Sequence, residues 1–326
     1  MKVIIAGLGR IGREHVDAYR SADAEIVAAV EPATDVAERF SADYDIEVYS
    51  NLTSFLEARS TPDIMSICTP PSSHRELVEV AVPLGINVLC EKPMAHTLED
   101  ALAIHQIASS SGVLFSTAYC HRFQPELEEM KTLIEDGRIG TPRAFYNQFA
   151  RQQDGIEHRW FAKRSLAGGG VLIDTAIHSI DIFRFLCGEI TAATAMYTTN
   201  LDGVDLEVEH TATLGLRSVN HVIGTVDCSW KLPTGESVVR VFGTLGSLTY
   251  DYSSPGVITF RDTMGAESVI DCPTGNRWEL EVRAFIQAVE MGTSVRTGTI
   301  DGLIGLHVLS TVYGANQASL VPGVPS

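Results

Sequence analysis

Short apolar runs alternate with helical patterns through residue 118 of the chain. The runs at 3–6, 25–30, 64–68, 87–90 and 113–118 have the length and composition of buried strands. Apolar residues recur at helical spacing between them, at 11–20, 35–42, 74–82 and 98–109. Strands that alternate with helices in this way predict right-handed βαβ units and a parallel sheet covered on both faces.

The pattern changes beyond this region. Helices are predicted at 125–136, 171–186, 278–291 and 301–317, and a strand at 143–151. Residues 193–270 are mostly extended, with Gly, Pro and Asp turns between apolar runs. Several strands without intervening helices favour an antiparallel or mixed sheet. We therefore expect a second domain of different architecture and a boundary near residues 119–124.

Size, charge and hydropathy exclude several classes of protein. The chain of 326 residues exceeds a typical single domain and carries a formal net charge of −17. Nucleic acids and anionic lipids need Lys or Arg to neutralise phosphate, so we expect neither as a partner. No apolar stretch has bilayer-spanning length, and the N-terminus lacks a signal-peptide core. These features predict a cytoplasmic protein.

The six cysteines are scattered and include no Cys-x-x-Cys pair. Several lie in or just after strand-like runs, which is typical of reduced, buried thiols and not of a disulfide framework or a zinc site. They are Cys68, Cys90, Cys120, Cys187, Cys228 and Cys272.

A glycine-rich turn follows the first predicted strand. Its sequence is Gly7-Leu8-Gly9-Arg10-Ile11-Gly12 and matches G-x-G-x-x-G. The first glycine of that pattern permits a tight turn, the second lets a pyrophosphate approach the backbone, and the third allows close helix–strand packing. The helix that opens there presents free N–H groups to the phosphates. The position between strand and helix favours a dinucleotide site over an ordinary glycine turn.

Glu31 ends the second predicted strand, where an acidic side chain can accept hydrogen bonds from the adenosine ribose. A carboxylate there repels a 2′-phosphate, and no Arg or Lys lies between Pro32 and Asp35. We therefore expect NAD, with NADP less favoured. The alternative is a surface glutamate at a strand end.

Two further segments follow predicted strands at the same edge of the sheet. The turn 68–74 contains Thr69, Pro70 and His74, which can line the dinucleotide, although a polar residue at a helix start is also common. Glu91-Lys92-Pro93 follows the run at 87–90. A lysine beside a nicotinamide can polarise or protonate a reacting oxygen, whereas the alternative is a solvated surface lysine.

Asp174 and His178 lie four residues apart in a predicted helix, and therefore on one face of it. A carboxylate beside an imidazole orients the ring and raises its basicity, which makes His178 a candidate general base. Asp181 is an alternative orienting partner, and a purely structural Asp–His pair is the other interpretation.

Taken in order, these segments resemble the glucose-fructose oxidoreductase, inositol dehydrogenase and rhizopine catabolism (Gfo/Idh/MocA) family of NAD(P)-dependent oxidoreductases. The resemblance extends over essentially the whole chain. It also includes the segment 119–123 with Arg122-Phe123, the run Gly168-Gly169-Gly170, the turn Phe242-Gly243-Thr244-Leu245-Gly246 and Asp301-Gly302-Leu303.

The resemblance implies an α/β protein. It would have an N-terminal Rossmann domain, placed at 1–120, and a C-terminal α+β domain with a large open mixed or antiparallel sheet, placed at 121–326. In this family that sheet commonly forms dimer or tetramer contacts, so a homodimer or homotetramer is expected. The family also often has a cis bond before the proline of Glu-Lys-Pro, which predicts a cis Lys92–Pro93 bond.

The resemblance further implies roles for individual residues. Lys92 would reach the substrate hydroxyl beside the nicotinamide, His178 would act as acid and base, and Asp174 would bind and orient the substrate. A hydride would pass between a sugar or cyclitol carbon and the nicotinamide. The residues expected to contact the cofactor are Gly7, Leu8, Gly9, Arg10, Ile11, Gly12, Glu31, Thr69, Pro70, His74, Glu91 and Lys92.

Substrate specificity is less well defined by the sequence. His121 stands where some inositol dehydrogenases carry an arginine. The loop 151–160 is rich in hydrogen-bonding groups, which suit a polyhydroxylated ring, and contains Gln152 and Trp160. The expected substrate contacts are His121, Gln152, Trp160, Asp174 and His178.

Three other functions are considered. A redox-neutral NAD-dependent glycosidase would release sugar without net NADH. A non-catalytic NAD sensor has no need of Lys92, Asp174 and His178 together. A metal hydrolase using His74, His121, His158 and His178 lacks recognisable ligand spacing, so no metal is expected.

Overall fold

The computed structural model describes residues 1–201 and 204–316. They form two compact units. The first unit comprises Met1–Pro125, Ser165–Gly168 and Gly275–Ile304. The second comprises Glu126–Arg164, Gly169–Thr274 and the described residues from Gly305. The chain therefore returns to the first unit after residue 274. A division at residue 120 alone does not describe this return.

The first unit contains a six-stranded parallel sheet in the order β3-β2-β1-β4-β5-β6. The strand order reverses between β1 and β4, the position where ligands bind in doubly wound sheets. The strands are β1 Lys2–Ala6, β2 Glu25–Val30, β3 Val48–Tyr49, β4 Ile64–Ile67, β5 Asn87–Glu91 and β6 Phe115–Ala118. The helices between them are α1 Arg10–Ser21, α2 Thr34–Tyr44, α3 Leu52–Ala58, α4 His74–Ala81 and α5 Leu98–Ser109. The predicted parallel Rossmann sheet is confirmed.

Two of these elements were not predicted. The strand β3 has only two residues, and α3 has seven. The side chain of Asn51 accepts a hydrogen bond from the Ser54 N–H and caps α3. Elements this short carry too few apolar positions to establish a period.

The rest of the chain forms a second set of elements. The helices are α6 Pro125–Glu135, α7 Arg164–Ala167, α8 Ile177–Cys187, α9 Arg277–Met291 and α10 Thr299–Asn316, and a π-helix spans Leu172–Ala176. The strands are β7 Pro142–Ala150, β8 Ile190–Thr198, β9 Asn200–Leu201, β10 Val204–Asp205, β11 Thr211–Ser218, β12 Ile223–Ser229, β13 Ser237–Gly243, β14 Gly246–Asp251, β15 Val257–Asp262 and β16 Glu267–Asp271. Residues 202 and 203 of the predicted extended region, and residue 317 of the last predicted helix, lie outside the described residues.

The second unit contains an eight-stranded sheet in the order β16-β15-β14-β13-β7-β12-β11-β8. Adjacent strands in this sheet are antiparallel, except that β7 and β12 are parallel to each other. The predicted mixed sheet is therefore confirmed. One face is covered by α8, where the rings of Phe145 and Phe183 pack edge to face at 5.3 Å. The other face exposes apolar side chains, including Met196 at 74% and Ile223 at 53%.

The helix α9 belongs to the core of the first unit. Its residues Val282, Phe285 and Ile286 are buried in the same cluster as Val16 and Tyr19 of α1. Burial of large apolar side chains contributes about 1.5–3 kcal/mol each, which explains why this late segment packs there.

The sequence pattern predicted no stretch of bilayer-spanning length, but one helical stretch among the described residues has the length and apolar composition of a membrane span. It comprises Arg164–Cys187, and 72% of its most apolar window is buried inside the protein. The helix α8 is buried at nine of its eleven positions, including Ile180 and Phe183. Burial of this kind is typical of a core helix.

Candidate functional site

The glycine turn lies between β1 and α1, at the switch point of the first sheet. Gly7 has a φ of +89°, and a Cβ there would lie 2.7 Å from the backbone of Cys68 and Thr69. A Cβ on Gly12 would lie 2.1 Å from the carbonyl oxygen of Gly7. Gly7 is therefore required by its backbone conformation and by close packing against the turn after β4, and Gly12 by the close packing of α1 against Gly7.

The start of α1 is open to an anion. A Cβ on Gly9 would meet no atom within 4 Å, and the first turn has neither a side-chain cap nor an acidic residue. Free N–H groups at a helix N-terminus favour phosphate, so the turn fits the pyrophosphate of a dinucleotide. Arg10 and Ile11 begin the helix with partly or fully exposed side chains, whereas Leu8 is buried.

Glu31 lies directly after β2 and next to the glycine turn. Its Oε2 accepts a hydrogen bond from the Leu8 N–H at 3.1 Å, and its Oε1 accepts one from the Ala33 N–H at 3.0 Å. The carboxylate is thus held at the edge of the turn, where it fits the ribose of a dinucleotide.

The turn after β4 is supported from inside by His74. Its ring is fully buried, and burial lowers the pKa of His74, so the ring is neutral. Nε2 lies 2.9 Å from the carbonyl oxygen of Thr69, and Nδ1 lies 3.3 Å both from the Cys90 thiol and from the carbonyl oxygen of Met94. The sequence suggested that His74 lines the cofactor, but the structure places it behind the turn that carries Thr69 and Pro70.

Lys92 follows β5 at the same carboxyl edge as the glycine turn. The predicted cis bond between Lys92 and Pro93 is present. The Lys92 side chain is half-buried, and its backbone N–H donates to Glu91 Oε2 at 3.1 Å. Glu91 is 7% exposed, and its Oε1 lies 3.1 Å from Nε2 of the buried His15.

His121 lies in the first unit, in a short 3₁₀ turn at Cys120–Phe123. Burial lowers its pKa well below the ordinary value, and the positive charges of Arg277 and Lys92 lower it further. The ring is therefore a neutral hydrogen-bonding group. The neighbouring Arg122 forms a salt bridge with Asp301 at 3.0 Å. Both residues belong to segments that carry the family resemblance.

Asp174 and His178 lie in the second unit, and both are partly buried. Asp174 is inside the π-helix Leu172–Ala176, and His178 is in the first turn of α8. The sequence predicted one continuous α-helix here, but the segment begins with i→i+5 hydrogen bonding. Such π segments within helices occur frequently at functional sites.

The three glycines before this helix are needed for close packing. A Cβ on Gly170 would lie 1.9 Å from the carbonyl oxygen of Glu209, and one on Gly169 would lie 2.2 Å from the Tyr313 hydroxyl. Glu209 Oε1 accepts hydrogen bonds from Gly170 N–H at 2.9 Å, Leu172 N–H at 3.1 Å and Tyr313 Oη at 2.7 Å. This buried carboxyl therefore fixes the start of the segment that carries Asp174.

A row of aromatic rings connects the loop 151–160 to Asp174. The rings of Trp160 and Phe161 are 5.4 Å apart, and those of Phe161 and Trp230 are 5.6 Å apart. The Trp230 indole N–H donates to Asp174 Oδ2 at 3.3 Å. Trp160 is 41% exposed, and Gln152, also exposed, donates to Asp154 at 2.9 Å.

The candidate residues thus form two groups. The first unit brings together the glycine turn, Glu31, Thr69, Glu91 and Lys92 at one sheet edge, and also holds His121. The second unit brings together Asp174, His178 and, through the aromatic row, Trp160. Three contributors were not found from the sequence, because each lies in an ordinary strand, helix or loop position without a motif. They are His15, Glu209 and Trp230.

In the part of the chain that the structure describes, no group of three or more His, Cys, Asp or Glu side chains is arranged to hold a metal ion. All six cysteines are free thiols, and four of them are buried.

Both halves of the chain match models of one protein family. Residues 1–119 match an oxidoreductase family with an NAD-binding Rossmann fold, and residues 127–249 match the GFO/IDH/MocA C-terminal domain. The matched ranges correspond to the parallel sheet of the first unit and to most of the mixed sheet of the second.

Two relatives are similar over nearly their whole length. The chain is 30% identical to a 1,5-anhydro-D-fructose reductase from Ensifer adhaerens, over 98% of both chains. It is 27% identical to a scyllo-inositol 2-dehydrogenase (NAD(+)) from Bacillus subtilis strain 168, over 94% of this chain and 92% of the relative.

Solved structures share the fold. A levoglucosan dehydrogenase in complex with NADH and levoglucosan superposes with a TM-score of 0.90 and 21% identity, over 98% of each chain. At that level of identity the superposition establishes the architecture.

Proposed function

Because this chain belongs to the Gfo/Idh/MocA family of NAD-dependent oxidoreductases, we propose that it oxidises or reduces a hydroxyl-bearing carbon of a sugar, sugar derivative or inositol. The observation that carries this proposal is the position of Lys92. It follows β5 at the carboxyl edge where the glycine turn follows β1. A cation there lies at the edge where a dinucleotide binds in this type of sheet.

The cofactor in this proposal is NAD, and Glu31 is the residue that selects it. Bound NAD supplies the acceptor or donor of the hydride. The Glu31 carboxylate is held by two backbone N–H groups. It accepts hydrogen bonds from the ribose hydroxyls of NAD, and its negative charge repels the 2′-phosphate of NADP.

The chain's own residues position the substrate and move the hydroxyl proton. Lys92 hydrogen-bonds the reacting oxygen and stabilises the charge that develops on it. His178 takes the hydroxyl proton during oxidation and returns it during reduction. Asp174 binds and orients the substrate, and the Trp230 N–H limits the rotation of its carboxylate.

A neutral, polyhydroxylated substrate fits the candidate binding residues. His121 and Gln152 supply hydrogen-bonding groups, and the exposed Trp160 offers an apolar ring face. Carbohydrate ligands need both kinds of contact. The 1,5-anhydro-D-fructose reductase and the scyllo-inositol 2-dehydrogenase to which the chain is similar are named for an anhydrosugar and an inositol, which supports this substrate class.

We place the enzyme in the cytoplasm as a homodimer or homotetramer. The support for assembly is the open face of the eight-stranded sheet, where Met196 and Ile223 are exposed. Exposed apolar side chains on a sheet face are typical of a subunit interface.

The proposal is tested by following NADH absorbance with a panel of inositols, aldoses and anhydrosugars, with NAD and NADP compared. The expected result is turnover with at least one substrate and a preference for NAD. Sugar release without net NADH would indicate the redox-neutral glycosidase instead. Tight NAD binding without any turnover would indicate a sensor.

A further inference from the structure

A buried histidine in the first unit has no part in the proposed function. His15 lies on α1 and is fully buried. Its Nδ1 lies 2.7 Å from Ser66 Oγ on β4, and its Nε2 lies 3.1 Å from Glu91 Oε1 at the end of β5. Burying an imidazole ring is costly unless both of its nitrogens are hydrogen-bonded, and in His15 both are.

Ser66, His15 and Glu91 are the residue types of a hydrolytic catalytic triad, but a substrate has no access to the serine. Ser66 and His15 are both 0% exposed, so no substrate reaches the hydroxyl. In such triads Nε2 faces the serine, whereas here Nδ1 does. The arrangement therefore has a role other than nucleophilic catalysis.

The direction of the hydrogen bond between His15 and Glu91 follows from the chemistry of the Glu91 carboxylate. A carboxylate only accepts hydrogen bonds, so His15 Nε2 is the donor to Glu91 Oε1. Burial lowers the pKa of His15, but the nearby Cys68 and Glu91 outweigh it and hold the pKa well above its ordinary value. A charged ring would make this a charge-assisted bond, which is stronger than a neutral one.

The second oxygen of Glu91 connects this arrangement to Lys92. Glu91 Oε2 accepts the backbone N–H of Lys92 at 3.1 Å. His15 thus fixes one carboxylate oxygen while the other fixes the main chain from which the Lys92 side chain projects. A carboxylate with both oxygens held cannot rotate without breaking one of the two bonds.

We propose that His15 is a positioning residue for Lys92, acting through the Glu91 carboxylate; the catalytic part of this inference rests on the function proposed above. The chain of contacts runs from α1, which begins at the glycine turn, through His15 and Glu91 to the backbone of Lys92. It therefore ties the helix that holds the cofactor phosphates to the residue that faces the substrate.

The first test is hydrogen exchange of the Lys92 amide, measured at single-residue resolution in the NAD-bound protein. His15→Ala removes the donor to Glu91, so the Lys92 amide should exchange about tenfold faster or more. His15→Gln places an amide N–H near the position of Nε2 and should restore most of the protection. Val16→Ala is the matched control, because Val16 is also fully buried on α1 and lies in the apolar core.

The second test is kinetic. With a substrate from the panel, His15→Ala should lower kcat about tenfold or more, since small displacements of a catalytic group have large effects. Its dissociation constant for NAD should change less than about threefold. His15→Gln should recover most of the lost kcat, and Val16→Ala should keep it when assayed below its unfolding temperature.

The outcomes separate the two proposals. Unchanged Lys92 exchange in His15→Ala, or equal acceleration in Val16→Ala, would overturn the positioning role whether or not a substrate is known. If His15→Ala does not fold, His15→Asn places an amide near the position of Nδ1 and lacks the donor to Glu91. Faster Lys92 exchange in His15→Asn than in His15→Gln would then support the role, and equal exchange in the two variants would overturn it. Absence of turnover in the wild-type protein would count only against the proposed function.

Discussion

The indole N–H of Trp230 donates a hydrogen bond to Oδ2 of Asp174 at 3.3 Å. Trp230 is 1% exposed and packs against Phe161, so its position is fixed by the surrounding core. Asp174 lies in a π-helical turn whose start is held by Glu209. The carboxylate is therefore constrained both by its backbone and by one partner of its side chain.

Replacing Trp230 by Phe should impair turnover more than folding. The variant keeps an aromatic ring against Phe161 but loses the donor to Asp174. Hydrogen bonds to charged groups contribute about 1.5–3 kcal/mol, so kcat/KM should fall about tenfold or more. Steady-state kinetics would measure this. Trp278→Phe makes the same chemical change in the first unit and should keep kcat/KM; equal losses in the two variants would contradict the assignment.

Glu31→Ala should narrow the preference for NAD over NADP. The substitution removes the carboxylate that repels a 2′-phosphate, so kcat/KM should fall with NAD and rise with NADP. Glu31→Gln keeps an acceptor oxygen but not the charge. It should therefore no longer repel the 2′-phosphate of NADP, and it should lose less affinity for NAD than Glu31→Ala does. Glu25→Ala, at the exposed start of β2, is the control. An unchanged cofactor ratio in both Glu31 variants would show that the ribose contact is wrong.

Glu209 should make stability depend on pH in a defined direction. Burial raises its pKa above the ordinary value of 4.5, and its Oε2 has no hydrogen-bond donor among the described residues. For an acid with a raised pKa, the stabilising contribution is complete below 4.5 and is lost as the pH rises through the folded-state value.

The measurement is the free energy of urea unfolding for the wild type and for Glu209→Gln between about pH 4 and pH 8. The variant cannot ionise at this position, so the wild type should lose stability relative to it as the pH rises. Glu207→Gln, at an exposed neighbouring position, controls for the loss of an acidic group. If the difference in unfolding free energy between the wild type and Glu209→Gln stays constant with pH, or changes in the opposite direction, burial does not raise the pKa of Glu209.

Local pattern predicted most of the fold because periodicity and turn residues determine local structure directly. The strand β2 and the helix α5 were predicted with their observed bounds, and both sheets have the expected types. The pattern identified α9 as a helix but gave no sign that Val282 and Phe285 pack in the first unit. Tertiary packing of that kind depends on surfaces distant in sequence.

The candidate site was predictable where a motif fixes the backbone. Gly7 and Gly12 are required by contacts under 3 Å, and sequence motifs record such requirements. The π-helix around Asp174 was not predictable, since apolar spacing does not distinguish i→i+5 from i→i+4 hydrogen bonding. The burial of His74 and the hydrogen bond from Trp230 depend on which side chains meet in space, and neither position carries a local signal.

The role of Lys92 is tested by measuring the turnover of Lys92→Ala together with its affinity for NAD. Because Lys92 is assigned to the reacting oxygen and not to the phosphates, kcat should fall about a hundredfold or more while calorimetry shows NAD binding within a few-fold of wild type. Lys2→Ala, at the start of β1, is the control and should behave as wild type. Near-normal turnover in Lys92→Ala would show that Lys92 does not act on the reacting oxygen.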